Sequence, residues 1–227
     1  SGETDFVYAS MKNLEDKENA ARVRRDFEKA LKNSEFQAYY QPKVNVETGR
    51  ITGAEALCRW IRDGKMITPM EFIPILERST DIFRLDFYML DLVCKNIRKW
   101  LDEGRNAVRI SINISRKHLT DPKLLDKIVD IVNRYDIPYE YIEIELTETT
   151  TEGDYYKLKK LVEGLKKIGI YTSIDDFGIG YSSLNLIREL PWNVMKIDRS
   201  LLPTSSTNEK DLSTILYKHI TAMACDM

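Results

Sequence analysis

The sequence has few residues of the kinds that bind soft metals or close disulfides. Its three cysteines, Cys58, Cys94 and Cys225, lie far apart, and no cysteine pair has metal-binding spacing. We therefore predict free thiols in a reducing cytosol. His118 and His219 flank predicted helices, and we assign no chemistry to them.

Long apolar runs and a surplus of one charge are also missing. No segment approaches the roughly 18 to 20 continuous apolar residues of a membrane span, and the N-terminus lacks the apolar core of a secretory signal. The 34 Lys and Arg residues nearly balance the 36 Asp and Glu residues, so no broad basic field attracts duplex nucleic acid. We expect a cytoplasmic segment without its own membrane span, although a longer parent protein could be membrane-anchored.

The 227 residues, 43% of them apolar, alternate between short β-branched runs and longer amphipathic stretches. This alternation is typical of an α/β fold built from βα units. The predicted strands are 36–46, 51–61, 107–115, 141–148, 171–177 and 194–201. The predicted helices are 16–33, 70–79, 82–103, 123–135, 155–168, 182–189 and 209–227. We expect residues 1–35 to be an N-terminal segment with a linker helix, and 36–227 to be the domain.

The connections between the predicted strands favour a barrel. Residues 47–50 are too few for a helical crossover, so the first two strands should pair antiparallel, and the later strands should be parallel. In a doubly wound open sheet the nucleotide site normally sits on a Gly-rich turn after the first strand, and none is present. We therefore predict a TIM-like (β/α) barrel with an antiparallel first strand, incomplete at the C-terminus by about two strands.

One face of each predicted strand is polar, because side chains two residues apart share a face. Ile110, Ile112 and Ile114 take one face of their strand, and Asn113 takes the other. In a barrel the polar faces converge in one cavity and would bring five side chains together: Glu55, Asn113, Glu145, Asp175 and Lys196.

The side chains of such a cluster would repel or desolvate one another unless a cation bound among them. Carboxylate and amide oxygens without His or Cys suit Mg²⁺ or Mn²⁺. The adjacent Asp175 and Asp176 can extend the site to a second ion, an arrangement suited to phosphodiester hydrolysis. The alternative interpretation is that these residues form buried salt bridges at strand ends. The occurrence of five such residues on successive strands favours the metal site over this alternative.

Five segments of the sequence form recognisable motifs: EALCRW at 55–60, SINIS at 111–115, ELTE at 145–148, DDFGIGYSS at 175–183 and KID at 196–198. Together they resemble the motifs of the EAL domain, the bacterial phosphodiesterase module that hydrolyses cyclic di-GMP. The likeness runs from about residue 36 to the last residue, and the motifs occur in the order of the family.

The resemblance implies a role for each matching residue. The metal ligands would be Glu55, Asn113, Glu145, Asp175 and Asp176. Lys196 would contact the attacking water or the phosphate and, with Glu55 and Asp175, would be catalytic. Gln41 and Arg59 would hold the substrate phosphate, and Glu148 would anchor the loop over 177–183.

The resemblance also implies the reaction and the partners. Two Mg²⁺ or Mn²⁺ ions would activate a water that opens one phosphodiester bond of cyclic di-GMP and gives linear pGpG. The alternative is an inactive EAL-like receptor or scaffold. In the family, the loop that matches 177–183 takes part in dimerisation, so the resemblance allows a homodimer. Residues 1–35 look like the end of an upstream sensory or GGDEF-type domain and its linker.

Overall fold

A computed structural model describes residues 2–147, 152–178, 184–203 and 211–226 of the chain. The chain divides into two compact units, Ser1–Val108 and Arg109–Met227. Each unit combines helices with strands, so the predicted α/β class is confirmed.

Helix α1 (Gly2–Lys32) is longer than the helix predicted over 16–33. Val23 and Phe27 lie one turn apart on the helix and are each 1% exposed. They belong to one hydrophobic cluster that also contains Trp60. The C-terminal half of α1 is therefore a structural part of the first unit, and where the functional domain begins stays a prediction.

Strands β1 (Phe36–Val44) and β2 (Ile51–Arg62) pair antiparallel, as predicted from their short connection. Strand β1 ends two residues earlier than predicted because of Asn45. Its Oδ1 accepts hydrogen bonds from the backbone N–H groups of Glu47 and Thr48, at 3.1 and 2.8 Å. Such a side chain turns the backbone locally and competes with the strand ladder.

A short strand, β3 (Lys65–Ile67), was not among the predicted strands and pairs antiparallel with β2. The two connecting residues, Asp63 and Gly64, both have positive φ, at 49° and 72°. Positive φ at both central residues is the geometry of a tight hairpin turn, for which Asp-Gly is a preferred sequence. The Asp-Gly pair is therefore a local signal for this hairpin.

Two helices complete the first unit, α2 (Pro69–Glu77) and α3 (Asp81–Asp102), close to the predicted bounds. Helix α2 begins after Thr68, whose backbone N–H and hydroxyl both donate to Glu71 Oε1 at 3.0 Å. This interaction, together with proline at the first helical position, fixes the start of the helix.

The second unit contains a parallel sheet with helices between its strands. In spatial order the strands are β4 (Arg109–Asn113), β5 (Ile142–Thr147), β6 (Tyr171–Phe177) and β7 (Val194–Ile197). The helices are α4 (Leu124–Arg134), α5 (Glu152–Ile168), α6 (Leu184–Glu189) and α7 (Leu212–Asp226). The predicted parallel pairing of the later strands is confirmed.

Strand β7 is shorter than the strand predicted over 194–201. It ends at Ile197 because Asp198 starts a 3-10 turn, Arg199–Leu201, and its carboxylate accepts a hydrogen bond from the backbone N–H of Ser200 at 2.7 Å. The predicted helix starts at 182 and 209, and Glu148, lie outside the described residues.

Cys58 is half-buried and Cys94 is buried, and neither forms a disulfide. Burial raises the pKa of the Cys58 thiol to about 12. Within the described part of the chain, no helix is both long and apolar enough to cross a bilayer.

Replacing Phe27 with Ala should lower the free energy of unfolding by about 3–4 kcal/mol, because it opens a cavity in an aromatic core. Chemical denaturation measures this change. Lys29→Ala, at an exposed position of the same helix, is the matched control and should change stability by less than about 0.5 kcal/mol. Equal stability of the two variants would contradict the packing of α1.

Replacing Asp26 with Asn should lower stability by about 1 kcal/mol at pH 7. Hydrogen bonds from Arg25 and Arg62 lower the pKa of this carboxyl from 3.8 to about 2, and the Arg62 bond is 2.6 Å long. A carboxyl pKa lowered by folding stabilises the fold above its unfolded pKa, and this contribution is lost as pH falls from about 4 towards 2.

The difference between wild type and Asp26→Asn should therefore shrink below about pH 4 in denaturation curves. Asp102→Asn removes an ion pair between Arg98 and the exposed Asp102, whose charged atoms are 2.7 Å apart, and serves as the control. A difference between wild type and Asp26→Asn that does not change with pH would contradict the assignment.

Candidate active site

The parallel sheet aligns two predicted site residues directly. Asn113 at the end of β4 lies opposite Glu145 of β5 in the strand register. The alternation of faces is as predicted, since Ile112 and Ile144 are buried at 1% and 0% exposure on the apolar face. Glu145 is itself only 1% exposed, so this carboxylate has been removed from water.

Lys196 of β7 joins carboxylates from two neighbouring strands. Its Nζ forms an ion pair with Glu145 Oε1 and lies 3.1 Å from Asp175 Oδ1. A buried carboxylate is stable only when its charge is compensated. The ammonium group supplies that charge and holds the two carboxylates at the same end of the sheet.

Asp175 and Asp176 lie in a β-bulge that the strand periodicity did not predict. The pairing of β6 with β7 shifts register between Ile174 and Phe177. These two residues are three positions apart, which in a regular strand would place them on opposite faces, yet both belong to one buried cluster. The bulge makes this possible and keeps both aspartates off the core face.

The backbone of Asp176 adopts an unusual conformation within the bulge. Its φ is 56°, in the left-handed region that non-glycine residues seldom occupy. Asp176 is exposed, whereas Asp175 is half-buried. Regular alternation of side chains would have directed Asp176 into the core. The bulge therefore keeps the carboxylate of Asp176 out of the core, next to Asp175 in the chain.

Two buried hydroxyl groups lie on the same polar face. Ser111 is opposite Glu143 in the register of β4 and β5, and Ser173 of β6 is opposite Glu145. Within the described residues, the Oγ atoms of both serines are buried without a hydrogen-bond partner. Buried polar atoms of this kind are rare in native proteins and often mark sites that hold a water or an ion.

The first unit gathers the other predicted residues on one face of its hairpin. Gln41 of β1 lies directly opposite Glu55 of β2, and Arg59 lies four residues further along β2. The guanidinium of Arg59 donates to the backbone oxygen of Cys58 at 2.9 Å and lies 5.9 Å from the ring centre of Tyr39. Tyr39 is an addition to the predicted set, and its place on the Gln41 face follows from strand alternation.

The donor chemistry of the parallel strands fits a hard divalent cation. Within the described ranges, no group of three or more His, Cys, Asp and Glu side chains forms a ready metal cluster. Glu145 and Asp175 instead converge on the positive charge of Lys196, with the amide of Asn113 on the adjacent strand. Two carboxylates beside an amide oxygen are a donor set suited to Mg²⁺ or Mn²⁺.

Comparison with known families identifies the class of protein. The model of the EAL domain family matches residues 24–225. Because this match covers most of the chain, the protein belongs to the EAL domain family.

Individual relatives agree with this assignment. The signalling protein YkoW of Bacillus subtilis is 36% identical over 182 residues, which cover 80% of this chain and 23% of YkoW. The bifunctional diguanylate cyclase/cyclic di-GMP phosphodiesterase MucR of Pseudomonas aeruginosa is 32% identical over 191 residues, covering 84% of this chain and 28% of MucR. The chain therefore spans about a quarter of the length of these curated relatives.

A solved structure supports the fold. The PaMucR phosphodiesterase in complex with c-di-GMP is 30% identical and matches with a TM-score of 0.74, covering 85% of this chain and 81% of that chain. Together with the antiparallel first strands and the parallel later strands, this likeness confirms the predicted TIM-like fold class.

Replacing Lys196 with Met should lower the free energy of unfolding by about 2 kcal/mol in the absence of divalent ions. The substitution keeps the side-chain length but leaves two carboxylates without their shared positive charge. Lys166→Met, at an exposed position of α5, is the matched control. Chemical denaturation in the presence of EDTA measures both, and equal stability of the two variants would contradict the role of Lys196.

Proposed function

We propose that this chain hydrolyses cyclic di-GMP to linear pGpG with the help of divalent cations. The observation that carries the proposal is the convergence of Glu145 and Asp175 on Lys196 at one end of a parallel sheet. Ends of parallel strands are where α/β folds place their chemistry. The names of MucR and of the PaMucR complex support the choice of cyclic di-GMP as substrate.

We assign the metal ligands to the residues expected from the sequence. They are Glu55, Asn113, Glu145, Asp175 and Asp176. Bound Mg²⁺ or Mn²⁺, two ions in our proposal, would polarise the scissile phosphate and lower the pKa of a bound water. The paired aspartates suit a two-ion arrangement because the β-bulge keeps both residues off the core face of β6.

The other side chains would bind and orient the substrate. The guanidinium of Arg59 has the planar shape that matches phosphate oxygens, and Gln41 lies on the same hairpin face with an amide to donate. Lys196 would stabilise negative charge on the attacking water or on the phosphoryl oxygens. Glu148 stays our candidate for anchoring the loop that follows Asp176.

We propose that the chain acts in the cytosol as the phosphodiesterase module of a larger signalling protein. The support is its coverage of only 28% of MucR, whose name assigns a diguanylate cyclase activity to the same protein. A sensory or GGDEF-type domain upstream and a homodimer belong to this proposal.

Replacing Glu145 with Gln should reduce turnover of cyclic di-GMP by roughly 100-fold or more, because an amide is a poorer ligand than a carboxylate for a hard cation. Turnover is measured in Mg²⁺ or Mn²⁺ by chromatography of pGpG. Glu163→Gln, at an exposed position of α5, is the matched control and should keep wild-type turnover. EDTA should abolish activity in every variant.

Full activity of Glu145→Gln would contradict the assigned site. Binding of cyclic di-GMP by the wild type without formation of pGpG would instead support the receptor or scaffold alternative. Circular dichroism of each variant separates loss of activity from loss of fold.

A further inference from the structure

The side chain of Leu201 packs closely against the turn that follows β6, at Gly178. The φ of Gly178 is 102°, in the region that favours glycine. A Cβ atom at this position would overlap Leu201 Cδ1 and would lie 3.1 Å from Leu201 Cγ. The side chain of Leu201 therefore lies directly against the backbone of the turn, two residues after Asp176.

Leu201 is held in place by the turn that ends β7. It closes the 3-10 turn Arg199–Leu201, and its backbone N–H donates to the carbonyl of Asp198 at 3.1 Å. The carboxylate of Asp198 accepts from the backbone N–H of Ser200 at the start of this turn. Two hydrogen bonds thus fix the backbone that carries Leu201.

The same turn also holds the residue between Asp176 and Gly178. The backbone N–H of Asp198 donates to the carbonyl of Phe177 at 3.1 Å. Phe177 is 3% exposed and packs with Ile174 in the core. Three contacts therefore hold the short segment after Asp176 in place: the burial of the Phe177 ring, the hydrogen bond from Asp198, and the packing of the Leu201 side chain.

These contacts also restrain the unusual backbone conformation of the adjacent Asp176. A φ of 56° is uncommon for a non-glycine residue, although Asp tolerates it better than most, and the contacts of the following turn help to hold it. We propose that Leu201 is a positioning residue for Asp176: by packing on Gly178 it fixes the turn that orients this carboxylate towards a divalent cation. The inference rests on the proposed function, since it concerns an ion that Asp176 would help to bind.

The neighbouring leucine provides a matched control. Leu202 follows Leu201 in the chain, has the same side chain and is 44% exposed, whereas Leu201 is half-buried. A general effect of losing a leucine in this segment should appear in both alanine variants. An effect that depends on contact with Gly178 should appear only at position 201.

The test compares the full chain carrying Leu201→Ala, Leu201→Met or Leu202→Ala with the wild type. Turnover of cyclic di-GMP is titrated with Mn²⁺, and Mn²⁺ binding is measured by calorimetry. Substitution of a residue that orients a metal ligand typically lowers the affinity for the metal by about 10-fold to 100-fold. Leu201→Ala should raise the half-saturating Mn²⁺ concentration about 10-fold, with kcat at saturating Mn²⁺ and KM for cyclic di-GMP within about twofold of wild type.

Leu201→Met should restore most of the Mn²⁺ affinity, because its side chain can refill the contact, and Leu202→Ala should behave as wild type. Identical Mn²⁺ dependence of the two alanine variants would overturn the inference. A fall in kcat at saturating Mn²⁺ without a change in Mn²⁺ dependence would also overturn it, since that result indicates a general structural role.

Calorimetry separates this inference from the proposed function. If the wild type binds Mn²⁺ but does not hydrolyse cyclic di-GMP, the proposed reaction fails, and the Mn²⁺ affinities of the variants still decide the role of Leu201. If the wild type binds no Mn²⁺, the proposed metal dependence and the inference are both overturned.

Discussion

Two carboxylates at one end of a parallel sheet repel each other, and the ammonium group of Lys196 is the charge that compensates them. Glu145 has a fully buried side chain, so its negative charge would be strongly unfavourable alone. Asp175 lies on the next strand, 3.1 Å from the same nitrogen. Within the second unit, the polar end of the sheet depends on this interaction.

The rest of that unit can be understood as the support for these three side chains. Parallel strands bury one face of each strand under helices, and Ile112, Ile144 and Ile174 occupy it with no more than 1% exposure. The opposite face is then available for polar groups. The β-bulge in β6 adds Asp176 to them without disturbing the core, and the turn after β7 fixes the backbone that follows.

The sequence was sufficient to predict the features that follow from local periodicity. The alternation of Ile112 with Asn113 and of Ile144 with Glu145 predicts which side chains share a face, and the structure agrees. The short connection after β1 predicted the antiparallel hairpin. The Asp63-Gly64 turn is a local signal for β3, which the periodicity of longer runs does not predict.

Features that depend on distant contacts were not predictable in the same way. The bulge at Asp176 arises from the pairing of β6 with β7 and from the packing of Phe177 beside Ile174, neither of which is local. The contact of Leu201 with Gly178 joins residues 23 positions apart, from 178 to 201. Strand periodicity carries no information about such contacts, because they are set by tertiary packing.

We propose that the polar end of the parallel sheet binds divalent cations for phosphodiester hydrolysis. Crystals of the chain grown with Mn²⁺ and cyclic di-GMP would test it directly, because anomalous scattering locates Mn²⁺ independently of the protein atoms. We expect anomalous peaks within about 2.5 Å of carboxylate oxygens of Glu145 and Asp175. Ordered cyclic di-GMP with no anomalous peak beside these two residues would contradict it.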